Sequence, residues 1–242
     1  MDVFLSVVGL AGVVAGAIAA VAGFGIGSVL TPLLGTALGL KLAVAAASIP
    51  HVIGAALRLW IVRAELDRRV LLTFGLTSAI GGLAGAALQS VVTSPALAVV
   101  FAALLLFAGI GGISGYSQRI RFGRRGAWVG GALSGFLGGL VGNQGGIRSA
   151  VMLGFDVPKE AFVATSTAVA LFVDGARVPV YLATEGGALA AQAGVIAVAA
   201  TGVVGGTLIG VWLLRRVPDR VFRPTVGWLL VVLALFTLAT AH

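Results

Sequence analysis

AGAIAAVAGFGIGSVLTPLLG at 15–35 and SGFLGGLVGNQGGIRSAVMLG at 134–154 are the stretches whose reading decides the fold. Laid over one another, they put Gly16 on Gly135, Gly23 on Gly142, Gly27 on Gly146 and Gly35 on Gly154. Each lies inside a long apolar run, 3–40 and 127–155, and interrupts it with clustered glycines. About 20 helical residues cross the hydrocarbon of a bilayer. Each run is therefore predicted as two shorter helical arms joined by a break. Such a break is tolerated at membrane depth only where protein or a wet cavity covers it.

The correspondence continues outward from these stretches. After a one-residue gap, Lys41, Ala43 and Ser48 meet Lys159, Ala161 and Ser166; the gap closes and Arg58 falls on Arg177. With looser spacing, Gly81 and Gly85 match Gly206 and Gly210, and Pro95 matches Pro218. Glycines alone align easily by chance. The ordered lysine, serine, arginine and proline matches do not, so the chain reads as a duplication of 1–118 and 119–242 that together form one integral membrane domain.

Composition agrees with a membrane reading. Of 242 residues, 59% are hydrophobic and only 10% charged, where a soluble domain carries about 25%. The 37 glycines have no collagen period and suit close helix packing in lipid. There is no cysteine, hence no disulfide frame or thiolate metal site. Apolar stretches at 43–62, 70–92, 96–115, 161–183, 187–213 and 221–240 have lengths expected of single helices.

Net charge is +8, but its placement argues for topology rather than nucleic acid. The basic residues concentrate in short connections: Arg63, Arg68 and Arg69; Arg119, Arg121, Arg124 and Arg125; Arg215, Arg216, Arg220 and Arg223. Arginine-rich short loops mark the cytoplasmic side. The connection near Thr93 to Pro95 and the one expected around Glu185 carry no basic residue, so basic and uncharged loops alternate in opposite order in the two halves. The expected fold is an all-α polytopic membrane protein of two inverted-topology repeats, each a broken re-entrant hairpin followed by three transmembrane helices. Both termini then face the periplasm. Eight simple spans are the rival arrangement, since residues 3–22 alone are long enough to cross.

Polar groups inside such a chain mark its chemistry, because each needs a partner or water. A half-helix that starts after a break offers unpaired N–H groups and a positive dipole end. Gly25, Gly27, Gly145 and Gly146 leave that end open, Ser28 adds a hydroxyl, Asn143 and Gln144 add amides, Arg148 adds a fixed charge, and Ser166 stands nearby in the second half. Donors and cations outnumber carboxylates, which favours an anion. His51, Arg58, Asp174 and Arg177 are candidates for gating or coupling, with Arg177 able to pair with Asp174 on one helical face. The alternative for Arg58, five residues from Arg63, is a side chain reaching for the interface. His51 reads equally as a structural histidine or as a proton carrier.

Enzyme signatures are missing from the sequence: no HExxH, no nucleophile elbow and no Walker lysine. GFGIG at 23–27 has no βαβ setting and no phosphate-binding lysine after it. No cofactor is expected. The expected partners are a small anion, the lipid bilayer and coupled protons or another ion, without nucleic acid.

On GFGIGSVLTPLLG at 23–35, GNQGGIRSAVMLG at 142–154, STAVALFVDGARVPVYL at 166–182 and GGTLIG at 205–210, the chain resembles the TauE/SafE family of sulfite and organosulfonate exporters. The resemblance extends over roughly 5–238. Two departures stand out: Ile26 interrupts the first glycine run, and Val151 occupies the position that aligns with Pro32. The resemblance implies export of sulfite, sulfoacetate or a related sulfonate across a bacterial inner membrane. A passive anion channel, an importer and a non-transporting scaffold are the alternatives.

Overall fold

The computed structural model describes residues 2–89, 95–116, 123–141, 144–155 and 157–239, and every regular element among them is helical. Helix α1 (Asp2–Ala22) is followed by α2 (Ile26–Leu38) and α3 (Leu40–Val62). The break between α1 and α2 depends on glycine: Gly23 has φ 79° and Gly25 φ 134°, a region that side-chain-bearing residues enter at a cost. A Cβ on Gly25 would also stand 2.8 Å from Ile18 Cγ2.

A 3₁₀ turn, Arg63–Glu65, leads to Asp67. Its carboxylate accepts from the Arg69 and Val70 amides at 2.9 and 3.0 Å. That cap starts α4 (Arg68–Val70), which continues through a π turn, Leu71–Gly75, into α5 (Leu76–Gln89). Then come α6 (Pro95–Ile113), α7 (Arg124–Val141), α8 (Gln144–Met152), α9 (Lys159–Ala191), α10 (Ala193–Leu214) and α11 (Asp219–Ala239).

Among the described residues, four helical segments are long and apolar enough to cross a membrane: Val3–Ala22, Lys41–Glu65, Ala193–Leu214 and Asp219–Ala239. A fifth results if α9, bent by 47° between Lys159–Gly175 and Arg177–Ala191, is one span. Pro179 follows that bend; it has no N–H for the carbonyl of Gly175, so the ladder is interrupted there. The protein is an all-α polytopic membrane protein.

One boundary departs from the sequence reading. The chain does not turn around Glu185; α9 runs on to Ala191, and the turn falls at Gln192. Alanines favour continuing the helix through this segment. Glu185 is not a loop residue but an ion-pair partner of Lys41 at 2.5 Å.

The chain forms two compact units, and each interleaves segments of both sequence halves. One comprises Met1–Ala64 with Ala170–Arg216, the other Glu65–Val169 with Val217–His242. In the first, α1 lies along α10 with backbone against backbone. Gly12 and Gly16 face the carbonyls of Ala199 and Val203, while Gly202, Gly206 and Gly210 face those of Gly9, Val13 and Ala17. In the second, α7 lies along α5 and the preceding π turn. Gly131 and Gly135 face the carbonyls of Phe74 and Ser78, while Gly81 and Gly85 face those of Ala132 and Phe136.

Under the alignment that puts Gly16 on Gly135 and Gly206 on Gly81, four of the five glycine contacts of the first interlock have a counterpart in the second, and Gly202 falls on Thr77. In both, the first helix of a hairpin is held by a helix from the other half of the sequence. A third crossing, α6 with α11, brings Gly109 and Gly227 against each other's carbonyls. Without a hydrophobic drive between helices in lipid, such close approach is what holds them together.

Candidate functional site

The second unit gathers one polar cluster around the short helix α8. Arg148 is only 4% exposed, and its Nε donates to Ser166 Oγ at 3.0 Å. Ser149, Thr165, Ser166 and Thr167 are fully buried around it in sequence. Thr167 donates back to the Val163 carbonyl, and Thr165 Oγ1 accepts the Asp67 amide at 3.2 Å. The candidates Arg148 and Ser166 are therefore brought together, the first from α8 and the second from α9.

What holds α8 in place is a clamp at its far end. Arg223 of α11 donates to the carbonyls of Leu153 and Phe155 at 2.6 and 2.9 Å. Phe155 meets Phe74 edge-on, with centroids 5.7 Å apart. Lys159, at the start of α9, donates to the Val217 carbonyl at 2.7 Å and pairs with Asp219 at 3.2 Å. Together these ties fix α8 relative to the starts of α9 and α11, leaving its first turn on the side of the break.

The other candidates of this hairpin are less uniform. Gly145 is half-buried. Gly146 faces apolar side chains, since a Cβ there would stand 2.9 Å from Leu233 Cδ2 and 3.3 Å from Leu105 Cδ2. Gln144 opens α8, and Asn143 lies outside the described residues.

The first unit carries a separate cluster on α3 and the C-terminal part of α9. His51 Nδ1 and Asp174 Oδ2 are 2.5 Å apart, with 19% and 11% of their side chains exposed. Arg58 is completely buried, so it is not a side chain reaching for the interface. Arg177 donates from Nε and a terminal nitrogen to the Tyr181 hydroxyl at 3.1 and 2.8 Å. The sequence offered an Arg177–Asp174 pair; the structure shows Arg177 donating to Tyr181 one helical turn on, and Asp174 in contact with His51.

His51, Gly54 and Arg58 share one face of α3 by helical spacing. Gly54 shows where that face points: a Cβ there would stand 3.2 Å from Ile26 Cδ1 and 3.4 Å from Thr207 Oγ1. The face therefore abuts the first residue of α2 and the middle of α10. At the start of α2, Gly27 has open space where a Cβ would be, and Ser28 is half-buried.

Three contacts around these candidates are missing from the sequence reading. Tyr181 had a signal, its helical spacing from Arg177. Arg223 had a misleading one, because it sits in a basic tract that also reads as topology. The Asp67–Thr165 tie had none.

A family model for the sulfite exporter TauE/SafE matches residues 8–237. The chain belongs to the TauE/SafE family. No curated protein and no solved structure gives a match. Members of TauE/SafE are transporters and not enzymes, and this multi-pass helical membrane protein is one of them; family and fold support a small anion and the lipid bilayer as its partners.

Proposed function

We propose that this TauE/SafE member is a secondary-active transporter that exports sulfite or an organosulfonate such as sulfoacetate by alternating access. The observation that carries the reading is Arg148, a permanent positive charge buried in the membrane domain and held by Ser166. Arginine stays ionised wherever it is placed, and an oxyanion is the ligand that its N–H fork and the first turn of α8 both suit. Substrate-binding residues are then Asn143, Gln144, Gly145, Gly146, Arg148 and Ser166 from the second hairpin and α9, with Gly25, Gly27 and Ser28 from the first hairpin. His51, Arg58, Asp174 and Arg177 serve gating or coupling.

The same proposal includes inverted repeats, 1–118 and 119–242, in a bacterial inner membrane with both termini periplasmic. Support comes from the alternation of arginine-rich and uncharged loops and from the matching glycine interlocks of α1 with α10 and α7 with α5. Repeats of this kind place substrate at the broken helices.

The test is ligand-dependent stabilisation of the purified protein. Sulfite or sulfoacetate should raise its unfolding temperature, while sodium and potassium chloride at matched ionic strength should not. A ligand at a hundredfold excess over Kd stabilises by about 2.7 kcal/mol. Arg148→Ala should lose most of that gain. A variant that responds to every anion as the parent does would remove the second hairpin as the anion site.

A further inference from the structure

The charged groups of the first unit divide sharply by what they can do with a proton. Helices α2 and α10 contain no ionisable side chain, and α1 contains only Asp2 at its start. On α3 and the C-terminal part of α9 the ionisable groups are Lys41, His51, Arg58, Asp174, Arg177, Tyr181 and Glu185. Lys41 and Glu185 pair with each other at the ends of their helices, with Lys41 mostly exposed. Arg58 and Arg177 stay protonated at any physiological pH, and the Tyr181 hydroxyl is held by Arg177. What remains is His51 with Asp174, in contact and mostly buried.

We propose that the His51–Asp174 pair is the proton site of this transporter, and that its proton travels in the same direction as the anion. The inference rests on the anion-transport reading above and names the coupled ion for it. A histidine side chain can take up and release a proton, and ionisable groups inside a membrane domain are costly and by default mark functional sites. The step is a simple addition: one proton enters from one aqueous side, is shared between Nδ1 and Oδ2, and leaves to the other. Arg58 and Arg177 set the sign of coupling. The added proton raises the positive charge of a cluster that already holds both arginines, so a loaded pair favours an anion in the membrane domain. By reciprocity a bound anion favours the proton. For a monoanion such a cycle is electroneutral, and export runs when the inside-to-outside ratio of the anion exceeds the outside-to-inside ratio of protons.

The position of the pair suits coupling to movement. Asp174 immediately precedes the bend of α9 between Gly175 and Arg177, and His51 follows Pro50 within α3. Opening the contact therefore acts where both helix ladders are already weakened.

The test uses the full-length protein in proteoliposomes, with the potential clamped by potassium and valinomycin and protein-free vesicles as background. Labelled sulfite and labelled sulfoacetate are the probes. Wild type should exchange label at equal pH on both sides. With the outside about one pH unit more acidic, it should accumulate label up to about tenfold at one proton per anion. In His51→Gln and Asp174→Asn the accumulation should fall to about twofold or less relative to each variant's own exchange rate, and Asp174→Glu should restore part of it. Anion-dependent thermal stabilisation of each variant shows that it is folded. Accumulation in both variants equal to wild type would overturn the inference, as would wild-type exchange that ignores the pH gradient. Absence of exchange of both probes by wild type would instead overturn the transport reading, and this inference with it.

Discussion

Gly206→Ala isolates the contact between α1 and α10 with an internal control one residue away. A Cβ at Gly206 would stand 2.7 Å from the Val13 carbonyl carbon and 2.8 Å from its Cα. Comfortable carbon–carbon contacts begin at about 3.5 Å. The obstructing atoms are backbone, which cannot swing aside, so the two helices must part by roughly 1 Å near the Val13 carbonyl. Gly205 is its neighbour on the same helix, and a Cβ there meets nothing within 4 Å.

Both substitutions gain the same helix propensity, about 0.8–1.0 kcal/mol for alanine over glycine. Subtracting one variant from the other cancels that term and leaves overpacking alone, about 1–3 kcal/mol. Reversible unfolding of the two variants in mixed micelles reads the difference directly. Gly205→Ala should equal or exceed the parent, and Gly206→Ala should fall below it. Stabilities within about 0.5 kcal/mol of each other would refute the reasoning, because they would mean that α1 does not lie on α10 through this glycine.

Two further changes test how the second unit holds α8 and α4. Arg223→Met removes a guanidinium that ties the Leu153 and Phe155 carbonyls; hydrogen bonds from a charged donor contribute about 1.5–3 kcal/mol. The expected result is a loss of that order in unfolding, together with weakened stabilisation by sulfite as α8 loosens, and parental behaviour in both assays would show that the clamp is idle. Asp67→Ala removes the cap that accepts the Arg69 and Val70 amides, and should cost about 0.5–2 kcal/mol; Asp67→Asn should recover most of it, and equal stability of the two variants would argue against capping.

How much of this was written in the sequence depends on what each pattern physically reports. The break of the first hairpin was legible because glycine readily enters the backbone region that Gly23 and Gly25 occupy, whereas the residues of the second break lie outside the described residues. Burial of Arg148, Ser166 and Asp174 was legible too, since polar residues far from any apolar boundary have nowhere else to go. The end of α9 was not, because hydropathy does not separate a loop at Glu185 from a helix whose Glu185 is neutralised by Lys41. Nor was the partner of each polar group, as with Arg177 and Tyr181, because pairing depends on rotamers and on neighbouring helices.

Helix pairing was the largest gap, and its reason is general. Small residues at helical spacing show which face of a helix admits a close neighbour, not which neighbour comes. The Gly202, Gly206 and Gly210 stripe would accept any helix presenting a smooth backbone. The proposed duplication narrows that freedom. Once α1 lies on α10, the glycines of α7 and α5 offer the corresponding groove at the corresponding register, and the same pairing is the arrangement that fills it. Two hairpins, each held by a helix from the opposite half, cannot be separated by cutting the chain at its midpoint. In the proposed duplication the repeats are units of sequence, while each compact unit combines segments of both halves, and a substitution in one interlock has a counterpart in the other: Gly206 in Gly81, and Gly16 in Gly135.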